Sequence, residues 1–142
     1  MTGLKLNTLL LIDDNEADNF LHTLVIEEAQ VAQEVVAVQS GYEALDYLTT
    51  KTNGAYPQPD VIFLDVNMPR MNGWEFLAAY DKLSETQKGD VVVVMLTTSL
   101  NPDDREAAEK NPNIRRFENK PLTEEALARI LEEHFPSRFT ED

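Results

Sequence analysis

The sequence predicts an α/β fold in which a five-stranded parallel sheet is covered by helices on both faces. Two observations lead to this prediction: short apolar runs alternate with segments of helical periodicity, and several of the runs are apolar throughout. Continuous apolar runs are typical of parallel strands that are buried on both faces, and regular alternation of strands and helices favours a doubly wound sheet. The length of 142 residues fits one domain, and we find no internal repeat or linker.

The predicted elements follow one another along the whole chain. The strands are Thr8–Ile12, Glu34–Val38, Val61–Leu64, Val91–Leu96 and Ile114–Phe117. The helices are Glu16–Ala29, Gly41–Leu48, one that begins near Trp74 after the Asn72-Gly73 turn, one that begins at Pro102, and Thr123–Phe135. The segment Thr49–Pro59 is rich in Thr, Asn, Gly and Pro, which indicates a loop, and Pro136–Asp142 is predicted to be a frayed tail.

Apolar residues give each of four predicted helices a face. These faces are Ala17, Phe20, Leu21 and Leu24 in the first helix, Ala44, Leu45 and Leu48 in the second, Ala107 and Ala108 in the fourth, and Leu127, Ile130 and Leu131 in the fifth. The fourth helix has a clear start, with Asn101 as cap, Pro102 as first residue and two aspartates near the positive end of the helix dipole. Because its apolar face is thin, we expect this helix to be loosely held.

The composition excludes several classes of function. The chain has no cysteine, which excludes disulfides, thiolate metal sites and a cysteine nucleophile, and its two histidines are too few for a histidine-based metal cluster. No apolar run approaches the length of a membrane span, and the N-terminus lacks the layout of a signal peptide, so we expect a cytoplasmic protein without membrane insertion. The net charge of −14 argues against direct binding of nucleic acid.

Polar residues that could bind a metal ion or a phosphoryl group follow four of the predicted strands. Asp13 and Asp14 follow the first strand, Asp65 follows the third, Thr97 the fourth and Lys120 the fifth. In open α/β sheets, ligands bind at the carboxyl ends of the strands near the topological switch point. Three converging carboxylates would repel one another unless a cation neutralised them, and Mg²⁺ prefers such oxygen ligands. The pattern therefore favours a magnesium site that also receives a phosphoryl group.

Each of these residues also has a simpler explanation. Asp13 and Asp14 could cap the first helix, which is about as plausible as metal binding until Asp65 is considered with them. Asp65 itself could be a metal ligand, a turn residue or a nucleophile that forms an acyl phosphate. Lys120 could be a solvated lysine or a point charge for a phosphoryl oxygen, and Thr97 an ordinary strand residue or a hydroxyl donor.

Four motifs in this chain resemble those of bacterial response-regulator receiver domains. Phe63-Leu64-Asp65-Val66-Asn67-Met68-Pro69-Arg70-Met71-Asn72-Gly73 is similar to the phosphoacceptor segment of that family. Ile12-Asp13-Asp14-Asn15, Met95-Leu96-Thr97-Thr98 and Asn119-Lys120-Pro121 match its other motifs in the same order. The resemblance covers about Leu6 to Phe135 and implies a flavodoxin-like sheet with strand order 2-1-3-4-5.

The resemblance implies a role for each motif residue. Asp65 would accept a phosphoryl group, Lys120 would pair with that group, Thr97 would move to bond it, and Phe117 would be the aromatic switch. Asp14, Asp65 and the backbone carbonyl of Asn67 would hold Mg²⁺ directly, and Asp13 would hold it through water. Asn67 and Ser99 occupy positions that tune autodephosphorylation in the family; neither supplies a carboxylate, so we expect a phosphoryl lifetime that is not unusually short.

As a whole, the resemblance implies a stand-alone, chemotaxis-regulator-like response regulator that consists of one receiver domain over residues 1–142. It would receive phosphate from a sensor histidine kinase or a histidine phosphotransfer protein. Its fourth helix, fifth strand and fifth helix would then act on a downstream protein target or pass the phosphoryl group onward. It would catalyse its own phosphorylation and dephosphorylation without turning over an external substrate. The loop Thr49–Pro59 is a candidate contact for a kinase or a dimer partner, so a homodimer is one of the expected alternatives.

Three rival functions compete with this interpretation. A haloacid-dehalogenase-type phosphatase needs a second acid two residues after its nucleophile, where this chain has Asn67. A flavodoxin-like cofactor binder needs a hydroxyl-rich phosphate loop, where Asp13 and Asp14 would instead repel phosphate. The sequence alone does not separate a phosphorylated switch from an interaction module that keeps the site but works without phosphorylation.

Overall fold

The structure is a computed structural model that describes residues 6–88, 91–98 and 101–136. The elements within these ranges are β1 (Leu6–Ile12), α1 (Glu16–Ala29), β2 (Ala32–Val38), α2 (Gly41–Thr49), β3 (Val61–Leu64), α3 (Gly73–Asp81), α4 (Glu85–Lys88), β4 (Val92–Thr97), α5 (Pro102–Lys110), β5 (Ile114–Asn119) and α6 (Glu124–His134). The strands pair in parallel in the order β2-β1-β3-β4-β5, which confirms the predicted fold class and strand order. Ser99 and the predicted tail beyond Pro136 lie outside the described residues.

The core has two apolar layers, one on each face of the sheet. Side chains alternate between the faces of a strand, so Leu9 and Leu11 of β1 join one layer while Leu10 and Ile12 join the other. β3 and β4 are buried along their whole length. This double burial explains why these strands read as continuous apolar runs in the sequence. No described helix is both long and apolar enough to cross a membrane.

Polar side chains cap five of the described helices, and Asn101 is the cap predicted for α5. Asn15, Ser40, Asn72, Asn101 and Thr123 each accept a hydrogen bond from a backbone N–H in the first turn of the helix that follows. The inward faces of α2 and α6 agree with the prediction, since Ala44, Leu48, Leu127, Ile130 and Leu131 are buried and Leu45 is partly buried. α5 holds even less apolar surface than we predicted, because Ala108 is buried but Ala107 is exposed. The four-residue helix α4 was not predicted.

The bounds of α1 agree with the prediction, but its orientation differs from the one its apolar face indicated. Its apolar face points outward, with Phe20 64% and Leu21 52% exposed. The side chains that α1 buries are Asn19, His22 and Ile26. The first half of α1 therefore presents polar groups to the interior, and only its second half contributes apolar side chains to the core. The reason lies in what the first half packs against, which is the carboxylate cluster described below.

Candidate functional site

The ends of β1 and β3 bring the two acidic segments together. These neighbouring strands pair in register up to Ile12 and Leu64, and the N–H of Asp65 donates to the carbonyl oxygen of Ile12 at 3.0 Å. The next residues, Asp13 and Asp65, therefore leave the sheet side by side. In the order β2-β1-β3-β4-β5, β1 is the first strand in sequence and β3 lies on the opposite side of it from β2. This is the topological switch point, where ligands of such sheets bind.

Three aspartates form one cluster at this point. Asp13, Asp14 and Asp65 each place a carboxylate oxygen so that all three oxygens lie within 4.8 Å of one another. Asp13 and Asp65 are buried, with 4% and 6% exposure, whereas Asp14 is open to solvent. Buried carboxylates at this spacing carry a high electrostatic cost unless cations balance them.

The carboxyl group of Asp65 carries this cost most clearly. Burial raises its pKa to about 6, and the charges of Asp13 and Asp14 act in the same direction. Lys120 and a hydrogen bond from the backbone N–H of Asn67 oppose that rise in pKa without cancelling it. The folded protein therefore holds an ionised Asp65 at neutral pH only against a free-energy penalty.

Lys120 supplies the nearby positive charge. Its side chain is 8% exposed and forms ion pairs with Asp13 and with Asp18, the latter at 2.9 Å, while its Nζ lies 3.7 Å from Oδ1 of Asp65. Burial would lower the pKa of Lys120, but the hydrogen bonds to Asp13 and Asp18 outweigh it and raise the pKa above its ordinary value. Lys120 is therefore charged at neutral pH. The peptide bond that joins it to Pro121 is cis.

The loop after Asp65 is held by close backbone packing against the start of α3. The N–H of Gly73 donates to the carbonyl oxygen of Val66 at 2.8 Å. A Cβ atom at position 73 would lie 2.6 Å from the carbonyl oxygen of Asp65, closer than real Cβ contacts. Only glycine fits here without a backbone shift, which gives the Asn72-Gly73 pair a structural reason beyond its turn chemistry.

The two predicted switch residues lie on the adjacent strands. Thr97 ends β4, is fully buried, and its carbonyl oxygen accepts a hydrogen bond from the N–H of Lys120 at 2.9 Å. Phe117 in β5 is half-buried against the core layer that includes Leu64 and Met95, and the guanidinium of Arg105 lies 5.5 Å from its ring centroid. The backbone bond between Thr97 and Lys120 joins two of the predicted site residues directly.

Three residues of α1 that the sequence analysis did not assign to the site also contact it. Asp18 pairs with Lys120, and the side-chain amide of Asn19 donates to the carbonyl oxygens of Asp13 and Val38 at 2.9 and 3.2 Å. His22 is 2% exposed, and burial together with the charge of Lys120 lowers its pKa. The spacing places Asn19, His22 and Ile26 on one stripe of a helix, but it does not indicate that this stripe is buried, and Asp18 lies outside it.

The residues of the cluster fit a hard divalent cation. Carboxylate oxygens are the ligands that Mg²⁺ takes, usually one or two of them together with water, and exposed Asp14 leaves access for water. Among the described residues within the cluster, Lys120 is the one cation that faces three carboxylates, so negative charge is left over. This donor set offers no nitrogen or sulfur ligand for a softer metal.

A parallel sheet of this order, with an acidic cluster and a buried lysine at its switch point, agrees with the resemblance of the sequence motifs to two-component receiver domains. The model of the family described as the response regulator receiver domain matches residues 9–132. The chain therefore belongs to the response regulator receiver domain family of two-component signalling.

Curated relatives and solved structures agree with this assignment. The probable methanogenesis regulatory protein FilR2 of Methanothrix harundinacea is 34% identical over 88% of this chain and 79% of its own length. Response regulator Rcp1 of Synechocystis sp. is 33% identical over 68% of this chain and 65% of its own length. A two-component response regulator from Cytophaga hutchinsonii has a similar structure, with a TM-score of 0.82 and 33% identity over 92% of this chain and 97% of that chain. The chemotaxis protein CheY4 of Vibrio cholerae has a TM-score of 0.72 and 26% identity over 90% of this chain and 98% of its own.

Proposed function

We propose that this protein is a phosphorylated switch in which Asp65 accepts a phosphoryl group in a Mg²⁺-dependent reaction. The observation that carries the proposal is the convergence of Asp13, Asp14 and Asp65 within 4.8 Å, with the buried Lys120 ammonium 3.7 Å from Asp65. A structural ion pair would need one carboxylate for one lysine. An excess of carboxylates beside a single lysine is instead suited to a divalent cation and a transferred phosphoryl group.

The chemical step is a displacement at phosphorus. A carboxylate oxygen of Asp65 attacks the phosphorus atom of a phosphohistidine, a P–O bond forms, and the P–N bond breaks with its electron pair left on the imidazole nitrogen of the donor. Asp65 must be ionised to attack, so proton loss from this carboxyl group precedes the transfer. Bound Mg²⁺ would be held by Asp14, Asp65 and the carbonyl of Asn67, with Asp13 acting through water, and would supply charge stabilisation to the phosphoryl oxygens.

Lys120 and Thr97 respond to the product. Phosphorylation adds roughly −1.5 to −2 of charge at Asp65. Lys120, already charged and buried beside Asp65, donates to a phosphoryl oxygen, and the hydroxyl of Thr97 turns toward the same group. Because the backbone of Lys120 is bonded to Thr97, the two movements are coupled to β4 and β5.

The outer face of α1 is the proposed docking surface for the phosphodonor protein. Four large apolar side chains among the described residues are exposed, and three of them, Phe20, Leu21 and Leu24, lie together on α1; the fourth is Tyr42. α1 begins beside Asp13, and its inner residues Asp18 and Asn19 reach the cluster. A histidine kinase or histidine phosphotransfer protein that covers this apolar face would bring its phosphohistidine to Asp65.

The surface formed by α5, β5 and α6 is the proposed output face. A groove of about 570 Å³ lies between these elements and is lined by Phe117 and by four arginines, among them Arg105 and Arg116. α5 contributes few apolar side chains to the core, so its position can change at low cost. Movement of Phe117 would remove the ring under Arg105 and alter the groove that a downstream protein meets.

Intact-mass measurement with acetyl phosphate tests the proposal. We expect a single phosphoryl adduct that requires Mg²⁺ and is absent from the Asp65→Asn variant. Beryllofluoride, a phosphoryl mimic, should bind the wild-type protein even if the adduct is short-lived. Failure of both, in a folded protein, would favour an interaction module that works without phosphorylation.

Phosphotransfer proteins used as phosphodonors test whether α1 is the docking surface. Replacing Phe20 by Asn should slow phosphoryl transfer from each phosphotransfer protein that phosphorylates the wild type. It should not slow phosphorylation by acetyl phosphate, because this small donor needs no docking surface. Tyr42→Asn is the matched control, since it removes an exposed aromatic residue from a different helix. Equal loss in both variants would argue against docking on α1.

A further inference from the structure

We propose that Asp18 is a positioning residue that holds the Lys120 ammonium off Asp65, so that one of its N–H donors stays available for a phosphoryl oxygen. This inference rests on the proposed function of the same site. The observation behind it is a set of unequal distances. Lys120 Nζ lies 2.9 Å from Asp18 Oδ2 but 3.7 Å from Asp65 Oδ1.

The donors of Lys120 can be accounted for individually. An ammonium group has three N–H donors and no acceptor. Asp13 and Asp18 each receive one of them, and 3.7 Å to Asp65 is beyond hydrogen-bond range. Lys120 therefore faces the nucleophile without bonding to it, and among the residues that the structure describes no partner takes up its third donor. A phosphoryl group on Asp65 can be bonded by that donor while both existing ion pairs persist.

The position of Asp18 is fixed by its place in α1. Its N–H donates to the side chain of the capping residue Asn15 at 3.1 Å, and an acid in the first turn is stabilised by the helix dipole. Its carboxylate is 30% exposed, so it is not needed to fill the core. It lies 102 residues from Lys120 in sequence, and the contact thus joins α1 to the loop after β5.

Loss of the Asp18 charge would leave a flexible lysine with a free donor. The lysine stem has four carbons and readily changes rotamer, and Asp65, at 3.7 Å, is the nearest carboxylate to which Lys120 is not already hydrogen-bonded. The ammonium would then close onto Asp65 and form an ion pair with the nucleophile itself. A phosphoryl group or its mimic would have to break that pair before it could bind. Asp18 thus prepares the site in advance, in the manner of other preorganised electrostatic sites.

An argument from net charge alone predicts the opposite change in beryllofluoride affinity when the Asp18 charge is removed, so an experiment can separate it from the proposal. Beryllofluoride is anionic, so removal of a nearby negative charge should strengthen its binding if charge alone matters. We expect Asp18→Asn to weaken beryllofluoride binding about tenfold in saturating Mg²⁺, since one charge-assisted hydrogen bond of the lysine is lost. The control Glu16→Gln removes the same charge from an exposed side chain in the same turn of α1, and should leave binding unchanged or slightly tighter.

The experiment combines ¹⁹F NMR titration of beryllofluoride with calorimetric titration of Mg²⁺. Mg²⁺ affinity should change by no more than about threefold in either variant, which also reports that the Asp18→Asn site is folded. A double-mutant cycle with Lys120→Gln completes the design. If Asp18 acts through Lys120, adding Asp18→Asn to Lys120→Gln should have less than a twofold further effect.

Three results would overturn the proposal. They are beryllofluoride binding in Asp18→Asn that equals or exceeds that of Glu16→Gln, loss of Mg²⁺ binding together with beryllofluoride binding, and an undiminished effect of Asp18→Asn in the Lys120→Gln background. A wild-type protein that neither binds beryllofluoride nor forms an acetyl phosphate adduct would instead refute the proposed function itself. The two failures are therefore distinguishable.

Discussion

The ionised carboxylate cluster is predicted to cost the protein stability, and Asp65→Asn should recover it. The ordinary pKa of an aspartate is 3.8, and burial beside Asp13 and Asp14 raises that of Asp65 to about 6 in the folded protein. Between these pH values the folded state binds more protons than the unfolded state, so the free energy of unfolding falls as pH rises. The stabilisation is fully present below pH 3.8 and is lost as pH passes 6.

The size of the effect follows from the two pKa values. Each pH unit of difference corresponds to about 1.4 kcal/mol, so ionisation of Asp65 lowers the free energy of unfolding by up to roughly 3 kcal/mol at pH 8. Asparagine keeps the shape and an acceptor for the N–H of Asn67 but carries no charge. Asp65→Asn should therefore be about 1–3 kcal/mol more stable than wild type at pH 8 without divalent cations, and equal to it near pH 4.

Urea unfolding followed by circular dichroism at several pH values measures this difference. Asp46→Asn is the control, because it removes one exposed carboxylate of α2 from the same strongly acidic chain. Saturating Mg²⁺ should stabilise wild type and close the gap to Asp65→Asn, since a ligand that binds only the folded state raises its stability. A variant that is no more stable than wild type at pH 8, or a gap that is as large at pH 4, would refute the argument.

The remaining predictions concern the starts of two helices. Gly73→Ala should destabilise the protein by about 1–3 kcal/mol, because the new Cβ would lie 2.6 Å from a backbone carbonyl oxygen that cannot move aside alone. Gly41→Ala, at the same position of α2, should cost less than about 1 kcal/mol, since its Cβ meets the flexible side chain of Met71. Asn72→Ala should cost about 1 kcal/mol, because the N–H of Glu75 loses its acceptor. Urea unfolding measures all three; equal costs for the two glycine variants, or no cost for Asn72→Ala, would contradict these expectations.

The fold could be predicted from the sequence because buried strands appear in it as short, continuous apolar runs. β3 and β4 are buried on both faces, so every residue in them except Thr97 at the end of β4 is apolar. The start of α5 was equally local, since the capping residue Asn101 and the proline that follows it can be recognised in the sequence. The short helix α4 was missed because Glu85–Lys88 buries no side chain and so has no apolar periodicity to detect.

The strand-end members of the candidate site could also be predicted, but the members on α1 could not. Strand ends identify Asp13, Asp65 and Lys120 without any knowledge of tertiary contacts. The pairing of Asp18 with Lys120 joins residues 102 positions apart, and nothing in the sequence near either residue signals it. Asn19 was equally hidden, since a polar residue in a helix is far more often solvated than buried.

The reversed orientation of α1 has a physical cause that also bears on function. Apolar periodicity identifies a face but not the direction in which it points. In α1 the site determines which face of the helix points inward. The carbonyl oxygen of Asp13 and the ammonium of Lys120 need polar partners, which Asn19 and Asp18 supply. The apolar side chains were thereby left in water, where an exposed cluster of this kind usually marks an interaction surface. In the proposed function, α1 therefore serves two purposes: its inner face sets the charge beside Asp65, and its outer face is the docking surface for the phosphodonor protein.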